Sequence, residues 1–366
     1  MPDENAPAPE RPPASEHAAA PELDIDLLAR LTATPGVAGR EGRVRELIER
    51  EIEGLADETR IDAMGSLLTV KRGRGGDDAP VVMILCHMDE IGFLVSHVTD
   101  EGFVHVDPVG GFDPRNLFSR RCLVCTDGGD LPGVMNASGK PIHTSSPEDR
   151  KKIPEPNAFI VDLGLGAAAR ERVKVGDYVV LDGPLVDLGE RVMSKALDNR
   201  IACWLGIEVL RGLADAKHAC EVHVAFTVQE EVGLRGARTA AFAVRPDIGF
   251  GLDTTLACDT PGVPAHERVT VQGEGFGLHV KDSSFIADEA LVREVEALAD
   301  AKGIACQRTI LARGGQDGAA AQQAAAGARA VGIVVGTRYV HTTAEMLHKR
   351  DLAAARDILL AWIAAH

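Results

Sequence analysis

Six residues of this chain combine into one kind of chemistry. They are His87 in ILCHMDEIG, Asp198 in SKALDNR, the adjacent Glu230 and Glu231 in FTVQEEVGLRGA, Asp253 in GFGLDTT, and His341 in TRYVHTTAEM. Each stands at the end of an apolar run or in the turn beside one, where a buried strand delivers polar side chains to a crevice. Two imidazoles and three carboxylates suffice to hold two divalent ions. That mixture of nitrogen and hard oxygen donors suits Zn, Co or Mn rather than a Cys-rich structural zinc site. The remaining carboxylate, beside a ligand, can serve as a base toward a metal-activated water. The set predicts a two-metal hydrolase.

Taken singly, each residue has a plainer reading. His87 and Asp89 lie two apart on a predicted strand and so share a face. The Asp89 carboxylate can then accept the proton of the second ring nitrogen and aim the imidazole, but a lone His-x-Asp also marks an ordinary structural histidine. Asp198 enters a helix, where capping is the usual role of Asp; the alternative is a carboxylate bridging two ions about 3.5–4 Å apart. Glu230 and Glu231 follow the apolar run FTV, and two neighbouring acids there are costly to bury unless a positive group holds them. One can ligate while the other takes a proton. Asp253 can simply start a turn. The joint placement of all six around one predicted sheet carries the reading.

The elements that must position them follow from periodicity. LDIDLLARLTATPG and GREGRVRELIEREIEGL carry apolar residues at helical spacing, and SLLTVKRG and PVVMILCHMD read as strands. From Ile91 to Asp187 short alternating segments appear instead: GFLVSHV, GFVHVDPV, RRCLVC, AFIVDLG and DYVVLDG, with turn signals about every ten residues. Strands and helices then alternate again to the terminus, through KALDNRIACWLGIEVLRGLAD, CEVHVAFTVQEE, LRGARTAAFAV, DIGFGLDTT, RVTVQGEGFGLHV (one or two strands), DEALVREVEALADAKG, ACQRTILAR, DGAAAQQAAAGA, RAVGIVVGT and DLAAARDILLAWIAAH. This predicts an α/β protein with a mixed central sheet covered on both faces, interrupted by a small β domain. The expected organisation is a tail at 1–22, catalytic parts at 23–90 and 188–366, and an inserted β domain at 91–187.

Composition narrows the partners. A net charge of −16, with no basic stretch to offset it, argues against nucleic acid or an anionic membrane as partner. No apolar run is long enough for a transmembrane helix. The start, MPDENAPAPERPPASEHAAAPE, lacks the basic and apolar regions of a signal peptide and reads as a disordered tail on a cytoplasmic protein. Seven scattered cysteines form no disulfide framework, and Cys122 and Cys125 lack the second pair or helix terminus that metal or redox chemistry requires.

HMDEIGF, ALDNR, VQEEVGLRGA, LDTT with the following D-x-PG, and RYVHT resemble, in that order, the motifs of the TET-type aminopeptidases, glutamyl and leucyl enzymes that often carry the name endoglucanase. The similarity runs from about residue 23 to the end. It implies a phosphorylase/hydrolase-like α/β/α catalytic domain and a PDZ-like inserted dimerisation domain. It further implies His87, Asp198 and Asp253 on one metal, and Asp198, Glu231 and His341 on the other. Glu230 would be the base and Asp89 the orienter of His87, with a cis bond between Asp198 and Asn199. Peptides with a free N-terminus would be the substrates, and dimers would build a hollow dodecamer. The chain departs from the family pattern at GGQDG, residues 314–318, where a Gly-Thr-Asp sequence is usual, and at Cys203, where a small Gly is usual. The rivals are a metal-dependent deacylase of the wider superfamily, a two-carboxylate glycosidase and a catalytically inert assembly protein.

Overall fold

Four apolar strands form the parallel centre of the molecule: Glu221–Thr227, Val81–His87, Ile248–Leu256 and Arg329–Arg338, side by side in that order. They belong to an eleven-stranded mixed sheet. Leu67–Val70 and Glu58–Ile61 extend it antiparallel on one side. Glu345–His348, Arg191–Ser194 and Val186–Asp187 extend it on the other. Phe276–Lys281 also pairs with Arg329–Arg338, and Cys306–Ile310 pairs with Phe276–Lys281. This computed structural model describes residues 23–214 and 216–366; the tail expected at 1–22 lies outside the described residues.

The strand Val81–His87 shows why the centre is buried on both faces. Alternate side chains point to opposite sides. Val82, Ile84 and Cys86 pack with Ile201, Trp204 and Leu205 of the helix Leu197–Leu213. Met83 and Leu85 pack against Ala237, Ala240 and Ala241 of the helix Arg235–Val244. Burial of each such Leu, Ile or Met side chain contributes about 1.5–3 kcal/mol. The small face of the second helix permits a close approach. A Cβ on Gly236 would lie 2.5 Å from the Val228 carbonyl oxygen, so this helix can seat against the sheet only with Gly there.

The inserted segment closes on itself. Gly92–Val98, Val104–Val109, Phe159–Asp162, Gly129–Ala137, Arg120–Thr126 and Tyr178–Leu181 form a six-stranded antiparallel barrel. Its interior holds Phe93, Val106, Val124, Met135, Phe159 and Val179. The chain returns to the large sheet at Val186–Asp187, which pairs with Val192 and Met193. Cys122 faces the barrel interior and Cys125 packs beside Tyr178, on the other side of the same strand. Burial pushes both thiols up to about 12, which leaves neither as a thiolate near neutral pH.

Three segments differ from the periodicity. The barrel strand Gly129–Ala137 carries Pro132 and Gly133 at its centre, which hide its alternation. Of 268–280, expected as one or two strands, the later part forms one strand, Phe276–Lys281, and the earlier part makes only an isolated bridge at Thr270. The helix expected over 317–328 is confined to Gly318–Gln322, and the chain turns away through positive φ at Ala325 (49°) and Gly327 (92°).

Candidate active site

The parallel register brings the predicted residues to one level. His87 is the last residue of its strand and pairs with Thr227, three residues before Glu230. On the other side Leu252 pairs with Cys86, which sets Asp253 beside the end of the His87 strand. All lie at the carboxyl ends of the central strands, where an open α/β sheet forms its crevice. They line a cleft of about 630 Å³, with Leu234, Leu256, Leu311 and Val340 as apolar wall and Arg238 and Arg313 as cationic members.

Asp198 sits at the middle of the cluster. One of its carboxylate oxygens is 3.5 Å from His87 Nε2 and the other is 3.5 Å from His341 Nε2. It does not cap its helix: Ala196 occupies the cap position, and Asp198 and Asn199 depart from helical geometry. The bond between them is cis. Glu231 lies 3.4 Å from His341 Nε2, while Glu230 and Asp253 lie 3.7 and 3.9 Å from His87 Nε2. Two groups of potential donors result, His87 with Glu230 and Asp253, and Asp198 with Glu231 and His341. The Asp198 oxygen that faces away from His341 lies 3.5 Å from His87 Nε2, beside the first group.

Electrostatics favour a cation in this space. Burial, reinforced by neighbouring acids, pushes Glu230, Glu231 and Asp253 above the ordinary carboxylate range. Burial would also raise Asp198, yet the two imidazoles hold it below that range. Burial works against charge on His87 and His341, but the surrounding carboxylates outweigh it and raise both, His341 to about 12. Oε1 of Glu231 is buried without any hydrogen-bond partner. Four carboxylates and two imidazoles thus face one space with donor capacity unspent, and these residues fit divalent metal.

Residue 89 meets the His87 ring with both its backbone and its side chain. His87 Nδ1 donates to the backbone carbonyl of Asp89 at 3.1 Å, and the carboxylate is 3.5 Å away. The ring is oriented from residue 89, through a hydrogen bond to its carbonyl. That bond uses Nδ1 as a donor, so Nε2 is the ring nitrogen that would be offered to a metal in the cleft. The Asp89 carboxylate also accepts the backbone N–H groups of Glu230 and Glu231, at 3.0 and 3.1 Å.

Several supporting residues escaped the sequence reading. Glu345, buried, accepts the N–H of Asp198 at 2.9 Å with one oxygen and that of His341 at 2.7 Å with the other. Burial first, then the charge of Asp198, pushes its carboxyl up to about 8. His341 has a positive φ of 65°, a conformation costing on the order of 1–3 kcal/mol that such a bond can hold in place. Beneath Asp198, Lys195 pairs with Glu90 at 2.6 Å, and Arg200 reaches Glu90 and the carbonyls of Leu31, Thr34, Gly36 and Met88. Asp317 is buried beside Thr227, which donates to it. HMDE, KALDNR, HTTAE and GGQDG contain Glu90, Lys195, Arg200, Glu345 and Asp317, but nothing in their spacing names the partners.

The fold is a mixed sheet covered by helices on both faces, with a donor set that fits metal at the strand ends. The family model for M42 glutamyl aminopeptidases matches residues 65–358, and the chain belongs to that family and is a peptidase. It resembles the TET aminopeptidase of a marine sediment archaeon (Thaumarchaeota), at TM-score 0.89 and 33% identity over 93% of this chain and 95% of that one. It resembles the Pyrococcus horikoshii TET1 peptidase, which can assemble into a tetrahedron or a large octahedral shell, at TM-score 0.83 and 32% identity over 93% and 98%. It is also 29% identical to the glutamyl aminopeptidase of Lactococcus lactis, over 93% of this chain and 95% of that one.

Proposed function

We propose that the chain is a binuclear metal aminopeptidase that releases residues one at a time from peptides with a free N-terminus. The observation that carries this reading is the Asp198 carboxylate, with one oxygen toward each imidazole. His87, Asp198 and Asp253 would hold one ion, and Asp198, Glu231 and His341 the other. Zn and Co, or Mn, suit this donor set. Such ions supply Lewis acidity toward the scissile carbonyl and a water of lowered pKa.

The remaining work falls to the chain. Glu230, beside the cluster but not needed as a donor, takes the proton of the attacking water and delivers it to the leaving amine. Nearby positive charge favours its carboxylate form against the effect of burial. Asp89 holds the N–H groups of Glu230 and Glu231, and so sets where both carboxylates stand. Leu234, Leu256 and Leu311 give the cleft wall an apolar lining. The cluster's acids also offer partners for a free α-ammonium group, which favours cleavage at the N-terminus. A decapeptide digested and followed by mass spectrometry should lose single residues in order, while its N-acetylated copy stays intact. Release of acetate would instead mark a deacylase, and internal cuts would exclude an aminopeptidase.

The barrel, which we read as a PDZ-like module spanning about 91–187, supplies no residue of the proposed donor set. It exposes Phe118, Val134 and Ile153. We assign it a two-fold subunit contact, with dimers building a closed dodecamer in the cytoplasm through a second, heterologous contact. Among the described residues no helix is long and apolar enough to cross a membrane. Light scattering should give twelve times the 38.8-kDa chain mass, and a Gly/Ser linker in place of the barrel should give small species weak on long peptides. A monomer at micromolar concentration would refute the assembly.

A further inference from the structure

We propose that Glu41 is a positioning residue for hydrolysis, fixing the backbone corner that presents Glu230. This rests on the aminopeptidase reading above. The chain leaves the strand Glu221–Thr227 and turns at Gln229, a non-glycine residue with a positive φ of 57°. Left-handed conformation is unfavourable for such a residue and needs outside support. The Gln229 N–H donates to Glu41 Oε1 at 3.0 Å. The next two N–H groups, of Glu230 and Glu231, donate to the two oxygens of Asp89. Three successive N–H groups of a turn therefore converge on two carboxylates. Consecutive N–H groups around a left-handed residue form a concavity that binds anions. Here the chain fills that concavity with its own side chains.

The ordinary role of Glu41 would be at the helix Gly42–Glu51, whose N-cap position it occupies. Its side chain makes no capping bond there. It turns instead toward the corner, and the same Oε1 also accepts the N–H of Gly39 at 2.8 Å, tying the loop before the helix to the loop that carries Glu230. Glu41 is 4% exposed and Asp89 is 0% exposed. Burial, followed by the adjacent charge of Asp89, pushes the Glu41 carboxyl up to about 7. Two acids packed together with N–H groups as their partners are a poor choice for stability alone, since a buried charge costs more than a neutral acceptor. The arrangement makes sense for the geometry it imposes on residues 229–231.

Both bonds at Glu41 use one oxygen, and that gives the test its form. Glu41→Gln can keep both through its amide oxygen. Glu41→Asp keeps the charge but is one methylene too short to span Gly39 and Gln229. Glu41→Ala loses both bonds. Turnover of an aminoacyl-p-nitroanilide, metal content and thermal midpoint would be measured for these three, for Glu230→Gln and for the wild type. Misplacement of a reacting group by about 1 Å can cost about a hundredfold in rate, so Ala and Asp should lose roughly ten- to a hundredfold in kcat with KM nearly unchanged. Both should retain the wild-type metal content. Gln should stay within about threefold of the wild type. Should the Ala variant not fold, the order of Gln and Asp still decides. An active Asp variant with an impaired Gln variant would mean that charge, not reach, matters, and would overturn the proposal. So would loss of metal in step with activity, or full kcat in the Ala variant. An inert wild type would overturn the aminopeptidase reading as well, whereas an active wild type beside an unimpaired Ala variant would remove only the role of Glu41.

Discussion

Replacing Glu230 by Gln should lower kcat by about 10²–10⁴-fold, the usual contribution of a positioned general base, with the metal content unchanged. Gln keeps the shape and length of Glu and can still be held by the N–H to Asp89 contact. What it loses is the ability to take a proton. Glu230 lies 3.7 Å from His87 Nε2, close enough to be counted as a donor with His87 and Asp253. Two roles therefore compete for it. Asp198, with an oxygen 3.5 Å from His87 Nε2, can take the place of Glu230 in that group, and on that ground we assign Glu230 the role of base. Metal analysis and single-turnover kinetics on the purified variant separate the two. Loss of one metal equivalent would make Glu230 a ligand, and near wild-type turnover would remove it from the chemistry altogether.

The parts of this site legible in the sequence are those where a polar residue ends an apolar run. His87, Asp253 and the Glu230–Glu231 pair are marked that way, because the apolar run of a buried parallel strand has few other reasons to give way to such groups, whether at the strand end (His87), inside the strand (Asp253) or just after it (Glu230 and Glu231). The parts that were not legible depend on backbone contacts between distant segments. Glu345 serves N–H groups of Asp198 and His341, and Glu41 serves that of Gln229, 188 positions away. No periodicity encodes a bond of that kind. The second task of Asp89 was hidden for the same reason: spacing placed it near His87, but nothing in it shows that the same carboxylate also accepts the N–H groups of residues 230 and 231. The unusual GGQDG has a packing account. Gln316 Oε1 accepts the Gly318 N–H at 2.8 Å, and a Cβ on Gly251 would lie 1.6 Å from that same oxygen. The larger Gln at 316 thus depends on a glycine in the neighbouring strand. Cys203 is likewise accommodated, its thiol donating to the His87 carbonyl at 3.3 Å behind the site.

Asp198→Asn should be the more damaging of the two central substitutions, removing both activity and metal. Each oxygen of Asp198 faces a different imidazole, so no other residue in the cluster stands between the two donor groups. An amide offers one acceptor oxygen and one NH2. Whichever way it turns, the NH2 faces one of the positions where a cation would sit, and the bridging negative charge is gone. The backbone N–H of residue 198 still has Glu345 as its partner, so the loop should keep its place and the loss should be chemical rather than a failure to fold. The expected result is a drop of at least one metal equivalent per chain and a kcat/KM below that of Glu230→Gln. Added metal should restore content before it restores rate, since a refilled site would still lack the shared carboxylate. Isothermal titration with Zn or Co, beside the rate assay, measures both. A variant that takes up two equivalents with wild-type affinity would show that Asp198 does not bridge, and the donor sets would then have to be the two separate triads, with Glu230 among the ligands and some other group as base.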